Sequence, residues 1–222
     1  MIVLHHCVSA RSFRPLWTLE ELGLEYELRM LPFPPRVHQK GYLETNPLGT
    51  IPALRDEHVF MTESAAICHY LVAHYGPTPL EVKATEADFG AFLNWLHFGE
   101  ATLTFPQTLV LRYSRFEPPE RRAPQVVEDY TRWFLARLRA VEAAVASQPY
   151  LCAGRFTAAD ISVGYALLLA SHLDLSERFP PAVRAYWNRL QERPAFLRAL
   201  EREHSEALAQ NVSTVPASRT TI

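Results

Sequence analysis

Several residues in the first third of the chain are of types that do chemistry at turns and helix ends. Ser9, Arg11 and Ser12 follow Cys7 and lead into an amphipathic stretch, so two hydroxyls and a guanidinium stand where a helix begins. Glu63 and Ser64 stand at the head of a second such stretch. A helix N-terminus has N–H groups without intrahelical acceptors and the positive end of the dipole, so it favours an anion. The same Ser64 also suits a plain helix cap. Between the two lies the segment 46–54, in which Pro47 and Gly49 interrupt any helix and Ile51, preceding Pro52, is held extended. With a cis Ile51–Pro52 bond, the N–H and C=O of Ile51 face sideways and can pair with an extended peptide as an added strand. Arg36, His38, Gln39 and Lys40 form a basic, proline-preceded loop.

Other reactive types carry less. The cysteines Cys7, Cys68 and Cys152 are far apart and odd in number, and Cys7 has no partner at Cys-x-x-Cys spacing, which argues against a disulfide framework and a dithiol oxidoreductase. Nine histidines include His5 and His6, which alternate across a strand, and His69 and His74, which share no close helical face, so no metal site is expected. Trp95, Phe98, Phe105, Tyr113 and Phe116 suit either an apolar pocket or a core.

The elements that must position these residues are legible from periodicity. Residues 2–6 form a strand, 12–22 a helix with Leu16, Leu19 and Leu22 on one face and Gly23 as its stop, and 25–31 a second strand. Residues 53–55 and 59–61 pair as a hairpin, and a helix begins at 62–64 and ends at the Gly76, Pro77 turn. The result is a small α/β domain with a mixed sheet. Beyond the linker no strand is expected. Phe89, Leu93 and Leu96 mark one helix, and Val127, Tyr130, Phe134, Leu138, Val141 and Val145 a long regular one. Thr157 and Asp160 have capping-box spacing ahead of an apolar run, 161–170, whose lack of a polar face makes it the buried centre of this half. Helices starting at Pro180–Pro181 and at Pro194 follow, and the polar residues 211–222 are expected as a loose tail.

Bulk properties agree with an ordinary globular protein. The 222 residues are 48% hydrophobic and 21% charged, with net charge −2 and no basic block of the kind that binds nucleic acid. The first residues lack a signal-peptide pattern and no apolar run is long enough for a membrane span, so a cytoplasmic enzyme is expected.

The chain resembles the cytosolic glutathione S-transferases at five places in order. These are residues 11–23, ending Leu19, Glu20, Glu21, Leu22, Gly23; residues 46–54; residues 63–67; residues 156–161 around Thr157 and Asp160; and residues 193–196. The resemblance implies a thioredoxin-like N-terminal domain over 1–78 that binds glutathione, and an all-helical domain over 86–210 that holds a small apolar electrophile. It also implies a homodimer. Glutathione would be a consumed co-substrate. Ile51 and cis Pro52 would pair with its cysteinyl backbone, Glu63 and Ser64 would take its γ-glutamyl end, and His38, Gln39 and Lys40 its glycyl carboxylate. Family spacing points to Ser9 as the thiolate-stabilising serine. Ser12 lies nearer the helix start, and Arg11 has charge to offer. Other outcomes are a non-catalytic scaffold, or a different glutathione reaction such as peroxide reduction, thiol transfer through Cys7, or dehalogenation.

Overall fold

The computed structural model describes residues 1–220. These divide into two compact units, residues 1–76 with 193–220, and residues 77–192.

The first unit is built on four strands in the order β2-β1-β3-β4: β1 (Ile2–His6), β2 (Tyr26–Met30), β3 (Ala53–Asp56) and β4 (Val59–Met61). β1 runs parallel to β2 and antiparallel to β3, and β3 and β4 form the hairpin, so the sheet is mixed as expected. Helix α1 (Phe13–Leu22) makes the β1–β2 crossover that a parallel pair requires. Gly23, left-handed at φ 62°, closes it with its N–H on the Leu19 carbonyl. Helix α3 (Ser64–His74) packs against α1. The Tyr70 and Tyr75 hydroxyls at its far end donate to buried Asp56 at 2.9 and 2.6 Å. The expected basic loop is partly helical. A short turn, α2 (Pro35–His38), and a 3₁₀ turn over Lys40–Glu44 occupy it, preceded by a second cis bond, Phe33–Pro34.

The last long helix, α9 (Pro194–Ala209), belongs to this unit and not to the helical one where the sequence reading put it. The reason is apolar. Phe196 seats edge-on against Phe13 and Trp17, with ring centroids 5.6 and 4.9 Å apart, and both partners are fully buried. Arg193 adds a two-pronged bond to Glu21 at 2.6 and 2.8 Å. The expected loose tail is corrected in the same way. Ala217 and Ser218 are buried, and the Ala217 N–H donates to the Val8 carbonyl at 2.8 Å. The last two residues of that stretch, 221 and 222, lie outside the described residues.

The second unit is helical: α4 (Phe89–His97), α5 (Phe105–Leu111), α6 (Pro124–Val145), α7 (Ala158–His172) and α8 (Pro181–Gln191). Wider π turns over Phe98–Thr104 and Arg112–Phe116 flank α5. Residues 158–170 of α7 are all buried, as the apolar run implied. The capping box closes both ways: the Thr157 side chain meets the first turn, and Asp160 accepts the Thr157 N–H at 2.8 Å. Asp160 also accepts the Leu151 N–H and the Tyr186 hydroxyl, at 3.0 and 2.9 Å, which ties α8 to the head of α7.

Candidate functional site

Strand direction brings the expected residues to one end of the sheet. β1 and β2 finish there, because they are parallel, and β3 begins there, since His5 pairs with Ala53. β4 also finishes there, Met61 pairing with Leu54. The segments that follow or precede these ends are the β1–α1 loop with Ser9, Arg11 and Ser12, the 36–40 segment, the Ile51–Pro52 pair, and the start of α3 with Glu63 and Ser64.

The 46–54 segment is rigid for reasons visible in its side chains. Asn46 is buried; its Nδ2 donates to the Thr50 carbonyl at 2.8 Å and its Oδ1 accepts the Leu48 N–H at 3.1 Å. The Tyr42 hydroxyl donates to the same Thr50 carbonyl at 2.8 Å. Gly49 stands at φ 60°, and a Cβ there would lie 2.6 Å from the Arg36 Cβ, so only glycine lets this turn lie on α2. The Ile51–Pro52 bond is cis. The Ile51 N–H and C=O make no hydrogen bond among the described residues. Ile51 packs beside Cys7, Ala10, Tyr42, Ala53 and Ala217 in an apolar cluster.

At the head of α3, Ser64 is buried and its hydroxyl accepts from Arg14 Nη1 at 3.2 Å. Its own proton is left to donate. Arg14, on α1 and wholly buried, is a functional candidate that the sequence reading missed. It places a guanidinium beneath a helix N-terminus, where charge and dipole add. Its spacing to Thr18, which faces Cys68 of α3, was the available signal. Glu63 is the N-cap of α3 and makes no side-chain capping bond. His38, Gln39 and Lys40 are all exposed.

The β1–α1 loop is arranged differently from the expectation. Ser9 is buried in a left-handed backbone, φ 53°, and its hydroxyl donates to Glu203 of α9 at 3.1 Å. Its N–H donates to the other oxygen of that carboxylate at 2.8 Å. Ser12 is fully buried and accepts the Cys7 N–H at 3.3 Å. Of the three, Ser9 and Ser12 are buried and Arg11 is partly exposed. Cys7 is buried, its thiol directed at the Pro32 carbonyl at 3.8 Å, and burial pushes its pKa far above the ordinary thiol value. Such a thiol is a poor nucleophile.

Residues 8–74 match the family model described as glutathione S-transferase, N-terminal domain. Glutathione S-transferase 3 of Schizosaccharomyces pombe is 30% identical over 218 residues, covering 94% of this chain and 90% of that protein. The chain belongs to the glutathione S-transferase family. Among solved structures of similar fold, the transferase URE2P6 from Phanerochaete chrysosporium, in complex with oxidized glutathione, is 28% identical with a TM-score of 0.81. The match covers 92% of this chain and 96% of that one. Ure2p5 of the same organism, cocrystallized with 1-(S-glutathionyl)-2,4-dinitrobenzene, is 26% identical with a TM-score of 0.79, covering 94% and 96%.

In this glutathione S-transferase relative, the helical unit contains a cleft of about 800 Å³ whose lining includes Val110, Tyr113, Arg115, Val127, Leu175 and Arg178. Of the five aromatic residues singled out from sequence, only Tyr113 lines it, and none of the five is fully buried.

Proposed function

We propose that the protein transfers glutathione to a small electrophile, as a homodimer. The observation that supports this best is the convergence of four chemically distinct segments on one end of one sheet. Ile51 offers an unpaired peptide to the cysteinyl backbone of glutathione. The head of α3, with Ser64 backed by Arg14, takes the γ-glutamyl carboxylate, and Glu63 faces the α-ammonium. His38, Gln39 and Lys40 take the glycyl carboxylate. The β1–α1 loop meets the thiol.

The chemistry is a thiolate displacement or addition. The bound thiol gives its proton to solvent and the sulfur lone pair forms the new S–C bond; in a displacement the leaving group departs with the broken bond's pair, and in an addition the π pair shifts to the electron-withdrawing end of the electrophile and is protonated there. A positive or donor-rich loop favours the charged sulfur over the thiol. Arg11 supplies that charge from the partly exposed side of the loop. Aromatic side chains of the helical unit, Tyr113 among them, take an apolar electrophile. Thiol transfer through Cys7 is the weaker reading, because that thiol is buried and shifted away from reactivity.

Ultraviolet difference titration of glutathione on the protein tests the proposal. Thiolate absorbance is expected well below the ordinary thiol pKa of about 8.5. Glutathione that binds but stays protonated would count against transfer and in favour of a scaffold. Cys7→Ala should leave conjugation of a dinitrophenyl electrophile within about twofold of wild type, whereas loss of activity there would restore the thiol-transfer reading.

A further inference from the structure

Glu203 does something that no family motif in the sequence assigns to it. It lies on α9, about 4% exposed, and its carboxylate gathers three donors from the end of β1 and the loop beyond. Ser9 gives its N–H at 2.8 Å and its Oγ–H at 3.1 Å, and His6 gives Nε2–H at 2.9 Å. An ionised carboxylate only accepts, so all three protons point inward to Glu203. The Ser9 hydroxyl has one proton, and it is committed. To any other atom that hydroxyl presents lone pairs, which a thiolate does not bind.

The same contacts explain the Ser9 backbone. A left-handed non-glycine residue is strained and persists only where its surroundings hold it. Two charge-assisted bonds to one buried carboxylate are enough to do so. The next residue back, Val8, is fixed from the other side by the Ala217 N–H at 2.8 Å. The loop that introduces Arg11 and α1 is thus clamped by Glu203 of α9 and by Ala217 beyond it.

We infer that Glu203 is the positioning residue of this loop, and that Ser9 is its anchor point and not the hydroxyl that meets the glutathione sulfur. The clamp stands on geometry alone; its effect on the thiol rests on the glutathione-transfer reading.

Two measurements on the full chain test both halves: amide hydrogen exchange of residues 7–12 without ligand, and thiolate absorbance of added glutathione across pH. Glu203→Ala is expected to speed exchange through residues 7–12 by about tenfold or more. It should also raise the pH midpoint of thiolate formation toward that of free glutathione. Glu203→Gln keeps an acceptor oxygen for Ser9 and should fall between wild type and Glu203→Ala on both measures, which covers the case in which the alanine variant does not fold. Ser9→Ala removes one of the two Ser9 bonds and should move the midpoint less than Glu203→Ala does. A larger midpoint shift in Ser9→Ala than in either Glu203 variant would overturn the anchor role and return Ser9 to the sulfur. Unchanged exchange in both Glu203 variants would overturn the clamp. Wild-type protein that binds no glutathione would remove the transferase reading, and the exchange data would still decide the clamp.

Discussion

His5 shows how a single side chain on the central strand sets a pH limit. Its ring lies against Tyr42, centroids 5.3 Å apart, and its Nδ1 has no hydrogen-bond partner among the described residues. Burial, with help from the nearby Arg29 charge, lowers its pKa from 6.5 to about 4. The folded chain therefore keeps His5 neutral at pH values where the unfolded chain protonates it. Stability tied to this ring is complete above about pH 6.5 and is lost as pH falls from there toward about 4. Allowing for solvent screening, the loss is about 2 kcal/mol. Denaturant melts of wild type and His5→Gln at pH 7.5 and pH 5 check it: over that part of the interval the wild type should lose about 1 kcal/mol more than the variant, and equal losses would assign the acid limb to another group. Position explains which residues the sequence could reveal. Ser64 and Pro52 announce themselves through local rules about caps and prolines, whereas Glu203 meets Ser9 across 194 positions of chain. A weak signal existed. Phe196, Ala199, Glu203 and Ala207 share one face of α9, so a carboxylate sits on an otherwise apolar stripe.

At the level of elements, periodicity and end signals recovered what is local. The expected helix over 12–22 is α1 at Phe13–Leu22, the hairpin pairs as read, and the capping box at Thr157 is real. The π turns at Phe98–Thr104 and Arg112–Phe116 were not legible, since each spans only one or two turns, too few to set a period of its own in the apolar pattern. Packing sets the first of them. Gly99 lies so close to α7 that a Cβ would stand 2.4 Å from Ser162 Oγ and 2.5 Å from the Ser162 carbonyl carbon. The Ser162 hydroxyl itself reaches the Leu96 carbonyl at 2.6 Å. Backbone cannot step aside as a side-chain tip can, so Gly99→Ala should destabilise by about 1–3 kcal/mol. Gly90, on the preceding helix α4, has no atom within 4 Å of its would-be Cβ. Gly90→Ala should instead add about 0.5–1 kcal/mol through helix propensity. Paired thermal melts of the two variants decide the matter, and two gains of equal size would mean that helix entropy, not approach to α7, governs Gly99.

For the molecule as a whole, the sequence places a boundary near residue 78, while the structure gives the first unit a second piece, residues 193–220. The consequence is physical. Without α9 the first 78 residues would expose Phe13 and Trp17, which are fully buried here against Phe196. Three aromatic side chains bury roughly 150–250 Å² each, and at about 25 cal/mol per Å² their burial contributes on the order of 10 kcal/mol. Whole domains are stable by only about 5–15 kcal/mol. The sheet would lose its guard as well. β2 is an edge strand, and Gln210 covers it by accepting the Met30 N–H at 2.9 Å and donating to the Leu28 carbonyl at 2.8 Å. Uncovered, that edge is a template for pairing between chains. A fragment of residues 1–78 should therefore show no cooperative unfolding transition and should self-associate. The same fragment with residues 193–220 attached through a flexible linker should regain a cooperative melt and near-ultraviolet circular dichroism from Trp17. A cooperative, monomeric 1–78 fragment would show that the β-α-β and hairpin halves carry enough apolar burial by themselves, and that α9 is an addition to the unit instead of part of its core.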